Sequence, residues 1–144
     1  MKIMFDTSLI IAGMLESHPH HVIAFPWLKR AKLKEFDLFV ASHTLAELYA
    51  VLTTLPVRPK ITPGMARQLI YNDIESIGKT VSLSISDYHF VIRRMSDLEL
   101  SGGIIYDALI ARAAQKSKID RIVTFNIDDF KRVWPEGENH IISP

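Results

Sequence analysis

"KIMFDTSLIIAG", residues 2–13, is the stretch whose reading decides how this chain folds. An apolar run, Ile3-Met4-Phe5, stops at an aspartate; two hydroxyl residues follow, then a second apolar run. Lys2–Asp6 has the length and character of a short buried strand. Thr7 or Ser8 can cap a following helix whose apolar content is Leu9, Ile10, Ile11, Met14 and Leu15. Asp6 therefore stands at the carboxyl end of a strand, fixed between two segments built for burial. No glycine-rich turn follows it, which argues against a dinucleotide-binding turn of the Rossmann kind.

Outward from that junction the alternation repeats. His20–Lys34 predicts a helix ending in a basic patch of Lys29, Arg30, Lys32 and Lys34. "DLFVA", Asp37–Ala41, reads as a second strand. Ser42 opens a helix to about Leu55, with Leu45, Leu48, Leu52 and Leu55 on one stripe. "LPVRP" breaks it, and Thr62-Pro63 supplies a cap and a first-turn proline for a helix expected to reach Ile77, ended by Gly78. Thr80–Leu83 reads as the third strand. Ser86–Leu100 and Ile104–Ser117 read as helices separated by Ser101-Gly102-Gly103. "RIVTF", Arg121–Phe125, is the fourth strand; a short helix around Asp129–Val133 and a last edge strand at "HII" follow. Strands that are apolar throughout, alternating with helices, specify a mainly parallel sheet of four to five strands covered on both faces. The fold class is α/β, a three-layer α/β/α sandwich. With no internal repeat, linker or low-complexity segment, residues 1–144 read as one domain.

Bulk composition narrows the function. The chain has 144 residues, 48% hydrophobic and 23% charged, which fits a globular core and not a disordered chain. No apolar run approaches the roughly 20 residues that span a bilayer. No basic segment precedes a long apolar run and cleavage site, so no signal peptide is expected. The absence of cysteine excludes disulfides and thiolate metal sites, and fits a cytoplasmic protein. A net charge of +1 is low for a protein that grips nucleic acid through a broad basic surface.

The acids carry the chemistry. In open α/β sheets, sites form beyond the carboxyl ends of strands, where strand order reverses. Asp6 lies at such an end, and so does "TFNIDDF", residues 124–130. Glu47 interrupts an otherwise apolar helix, "TLAELYAVLTTL". Asp107 sits in "GGIIYDALIARAA", where Arg112 is the only other charge from Ile104 to Ala114. A buried lone carboxylate is costly unless paired or metal-bound. Several carboxylates without cysteine suit hard cations, Mg²⁺ or Mn²⁺, which bind phosphate oxygens and activate water for phosphodiester hydrolysis. Such an ion also supplies the positive charge that the bulk sequence lacks.

Together "FDTSLI", "LAELYAVLT", "YDALIARAA" and "VTFNIDDF" resemble the PIN-domain ribonucleases, and within them the VapC-type toxins of toxin–antitoxin pairs. The resemblance covers essentially the whole chain and implies a metal-dependent ribonuclease with an acidic Mg²⁺ or Mn²⁺ pocket and an RNA substrate. Asp6, Glu47 and Asp107 match the first three family acids. The fourth position falls on Asn126, with Asp129 the nearby acid that can act instead. Thr7 and Thr124 match hydroxyl positions that steady the acids. A homodimer and a small cognate antitoxin that blocks the pocket are implied as well, and no membrane association.

Plainer readings stand beside these. Asp6 can be a helix cap, Glu47 half of a capping box with Thr44, and Asp107 an acid favoured by a helix dipole. Asp128 and Asp129 can be surface residues. "HPHH", residues 18–21, reads as a solvated loop before it reads as a zinc site. The basic patch, Arg93, Arg94 and Arg112 read as solvated faces, although the patch can also steer RNA or an antitoxin. Met14, Met65, Met95, Trp27 and Trp134 read as packing residues. Two other functions remain: a binding module of the same fold, weakened at Asn126, and a haloacid-dehalogenase-like phosphatase with Asp6 as nucleophile. The latter wants an aspartate at Ser8 and a lysine motif that the sequence does not offer.

Overall fold

The computed structural model describes all 144 residues. Five strands, β1 (Lys2–Phe5), β2 (Asp37–Ala41), β3 (Lys79–Val81), β4 (Arg121–Val123) and β5 (Ile141–Ile142), form one parallel sheet. Its order is β3-β2-β1-β4-β5. β1 is central: Met4 lies between Phe39 of β2 and Ile122 of β4. From β1 the chain moves outward one way to β2 and β3, then returns to add β4 and β5 on the other side. The order thus reverses between β1 and β4, and their carboxyl ends mark the crevice.

Seven α-helices flank the sheet: α1 (Thr7–Met14), α2 (His21–Lys32), α3 (Ser42–Thr54), α4 (Pro63–Ile70), α5 (Ile85–Asp97), α6 (Ile105–Lys116) and α7 (Ile127–Val133). They divide into two layers because strand residues alternate between faces. Ile3, Phe5, Leu38, Val40 and Val123 pack with α1 to α4. Met4, Phe39, Ala41, Val81 and Ile122 pack with α5, α6 and α7. Both faces are dry, so the central strands read as unbroken apolar runs. The expected α/β/α sandwich is what forms, with five strands, all parallel.

Several boundaries differ from the sequence reading. The helix expected to run from Pro63 to Ile77 is α-helical only to Ile70; Tyr71–Glu75 form a π turn. Ser76 N–H reaches the Tyr71 carbonyl, five residues back, and Ile74 stays fully buried. Lys32 of α2 pairs with Asp73 at 2.7 Å across this turn. β3 begins and ends earlier than Thr80–Leu83, and α5 starts at Ile85 because Ser84 and Asp87 close a capping box there. Elsewhere α1 meets α2 so closely that a Cβ on Gly13 would lie 2.6 Å from Leu28 Cδ1. The edge strands are short, three residues in β3 and two in β5. No helix is long and apolar enough to cross a membrane.

Candidate active site

At the end of β1 the chain must turn into α1, and Asp6 makes that turn. Its Oδ1 accepts the Leu9 N–H at 3.0 Å, capping the helix. Ser8 Oγ donates to both carboxylate oxygens, at 2.9 and 2.8 Å. Across the crevice, Thr124 Oγ1, just past β4, donates to Asp6 Oδ2 at 2.6 Å and accepts the Asn126 N–H at 2.9 Å. Asp6 is only 1% exposed. Burial pushes its pKa up, and the hydrogen bonds from Thr124, Leu9 and Ser8 oppose that rise. The cap and the cleft acid are therefore the same side chain.

Glu47 and Asp107 enter from α3 and α6. α3 has Ala41 at its N-cap with no side-chain cap bond, so the Thr44–Glu47 capping box does not form. Glu47 instead lines the cleft, and its buried Oε1 has no hydrogen-bond partner. Its pKa is raised first by burial and also by Asp6; His43, 3.5 Å away, and Thr7 pull it down. Thr7 Oγ1 nevertheless lacks a hydrogen bond of good geometry and stays orphaned. Asp107 occupies the first turn of α6. Burial, and then the charges of Asp6, Asp129 and Glu47, hold its carboxyl up at about 7.

Asp6, Thr7, Glu47, Asp107 and Asn126 line one open cleft of about 560 Å³. Asn126, the N-cap of α7, makes no side-chain cap bond. Asp129 is not on this lining. It belongs to an adjoining depression with Phe125, Asn126 and Asp128, and its half-exposed side chain lies 3.7 Å from Arg132. It acts on Asp107 only through its charge. A larger groove of about 850 Å³ lies between α3 and α4, but its single carboxylate, Glu75, makes no acidic cluster.

Two residues read as loop belong to the cleft: His18 and His20 line it, beside Phe125. The only sequence signal for this was the brevity of α1, which leaves the next turn near the strand ends. The basic patch is partly committed to structure. Arg30 pairs with Glu35 at 2.8 Å and lies over Trp27, and Lys32 is held by Asp73. Arg94 pairs with Glu136, and Arg112 with buried Asp87. Met95 is buried in the core, whereas Met65 is half-exposed.

The donor set is carboxylate and amide oxygen, which suits a hard divalent cation. No three His, Asp or Glu side chains are grouped to hold one ion by themselves. The orphaned Glu47 Oε1 and the repulsion felt by Asp107 mark oxygens that such an ion would satisfy.

The β3-β2-β1-β4-β5 sheet with helices on both faces agrees with what comparison with known proteins finds. The PIN domain family matches residues 3–134, so the chain belongs to the PIN-domain family. Among curated relatives it is similar to ribonuclease VapC27 of Mycobacterium tuberculosis, 30% identical over 115 residues, covering 80% of this chain and 78% of the relative. Ribonuclease VapC40 of the same species is 30% identical over 110 residues, with 76% of each chain covered. Among solved structures, VapC20 of M. tuberculosis, a sarcin–ricin loop cleaving toxin, superposes with a TM-score of 0.69 at 16% identity, over 88% of this chain and 92% of that one. The VapBC2 complex of Rickettsia felis bound to a promoter DNA fragment gives a TM-score of 0.68 at 22% identity, over 100% and 99%.

Proposed function

We propose that this chain is a VapC-type toxin ribonuclease that hydrolyses RNA phosphodiester bonds in the Asp6–Glu47–Asp107 cleft with Mg²⁺ or Mn²⁺. The observation that carries the reading is the shared cleft: Asp6, Glu47 and Asp107 line it from three separate elements, and burial, then the neighbouring acids' charge, raises Asp107 to about 7. Like charges gathered in a cleft are tolerable when a cation joins them. Asp6 and Asp107 would hold the ion, with Glu47 nearby and the Asn126 amide filling the fourth position; Asp129 would act from the margin. When bound, the ion acts as a Lewis acid on phosphate and lowers the pKa of water.

The chain's own residues prepare that site. Thr124 and Ser8 fix both oxygens of Asp6, and the β1–α1 turn fixes its backbone. Burial raises the carboxyls of Glu47 and Asp107, Asp107 to about 7, and a bound cation would draw both back to their charged forms. The named relatives are ribonucleases, and VapBC2 is a complex of two partners on DNA. On that basis we assign this chain an RNA substrate and a cognate antitoxin, and infer a homodimer, a single PIN-like domain over 1–144 and a cytoplasmic setting.

The test is cleavage of a mixed RNA pool with Mn²⁺, with EDTA, and with Asp6→Asn beside the parent. Metal-dependent cleavage lost in the variant supports the reading. A folded parent that leaves the pool intact while Mn²⁺ raises its melting temperature would favour the binding module instead.

A further inference from the structure

Two rings in the cleft have no part in binding a cation as described above. The turn between α1 and α2 is held by its own backbone: His18 N–H bonds to the Leu15 carbonyl, and His21 N–H to the His18 carbonyl, both at 3.0 Å. His20 N–H donates to His18 Nδ1 at 3.0 Å, and His21 Nδ1 lies 2.9 Å from the Ala12 carbonyl oxygen of α1. The His20 ring is left without polar duty. It stands at the N-cap of α2 yet makes no cap bond. Instead it stacks on Phe125, centroids 4.9 Å apart and planes 24° from parallel. Phe125 follows Thr124, the hydroxyl that binds Asp6, and precedes Asn126. An aromatic surface therefore adjoins the carboxylates within one cleft.

Carboxylates and a cation address a phosphate; none of them holds a base. Nucleobases stack on aromatic faces with little regard to sequence, provided they are not already stacked in a duplex. We propose that His20 and Phe125 form a stacking ledge for an unpaired nucleobase beside the phosphate that is cut. This rests on RNA being the ligand of the cleft. His20 is a positioning residue in this scheme: its ring face matters and its nitrogens do not.

The test follows 2-aminopurine fluorescence in short single-stranded homopolymer RNAs, each carrying one central 2-aminopurine, in Ca²⁺ with parent, His20→Ala and His20→Phe. Stacking quenches the fluorophore. The parent should quench it, His20→Ala should bind about tenfold more weakly with the quench lost, and His20→Phe should restore both. Binding by His20→Ala equal to the parent, or His20→Phe as weak as His20→Ala, would overturn the ledge. So would a parent that does not quench at all. Cleavage in Mn²⁺, run beside these, separates this idea from the ribonuclease reading. A rise in KM with kcat near the parent value supports the ledge. Cleavage unchanged in His20→Ala removes the ledge and keeps the nuclease; quenching by a parent that never cleaves does the reverse.

Discussion

Asp6 serves two ends at once, and its variants separate them. Asp6→Asn keeps an oxygen for the Leu9 N–H but loses the charge; RNA cleavage should vanish while the circular dichroism spectrum stays that of the parent. Asp6→Ala also removes the cap, and should lower stability by a further 1–2 kcal/mol or so in a denaturant titration. Thr124→Val removes the donor to Asp6 Oδ2 and the acceptor for Asn126 N–H. We expect about a tenfold or larger loss of metal affinity, read by calorimetry. Sequence pattern was enough to single out Asp6, Glu47 and Asp107, because each is an acid where its surroundings are apolar. It was not enough to choose between Asn126 and Asp129: they lie three residues apart at the start of one helix, and the pattern does not show that only Asn126 faces the cleft. Nor did it place His18 and His20, since a helix–helix turn carries no periodicity to show which way it faces.

The elements carry the stability. α5 and α6 are joined at Asp87, buried, closing the Ser84 cap and receiving Arg112 at 3.0 Å and Lys116 at 2.6 Å. These partners, Lys116 foremost, hold its carboxyl well below the usual range, so its contribution is present above the ordinary aspartate pKa and is lost as acid protonates it. Asp87→Asn should cost roughly 2 kcal/mol in urea unfolding at neutral pH and leave cleavage per folded molecule unchanged. Element order and type were legible because the strands are short apolar runs and the helices have clear stripes. The ends of α4 and the start of α5 were not. A π turn depends on what Ile74 packs against, and a capping box at Ser84 competes with an equally good hydroxyl at Ser86.

For the whole molecule, the acidic cleft is a cost that the proposed cation would remove. Asp6, Glu47 and Asp107 all have raised pKa values in the fold, so without metal the folded state holds protons that the unfolded chain has released. Stability in EDTA should therefore fall as pH rises from the ordinary carboxylate range to about 7, where Asp107 loses its proton. Asp107→Asn should flatten that slope in melts between about pH 5 and 8. Mn²⁺ at a hundred times its dissociation constant should add about 2.7 kcal/mol.

A sheet also has edges, and here both are stubs. β3 offers three residues and β5 two, and β3 begins with Lys79 and Thr80, both exposed. A strand from another chain would find too few free amides to zip onto, whether that chain were an aggregate's next copy or a peptide seeking to extend the sheet. Such brevity forecloses strand exchange as a way of meeting partners. A protein partner is left the helical faces and the grooves between them, and the same brevity keeps the protein from assembling with itself through its sheet.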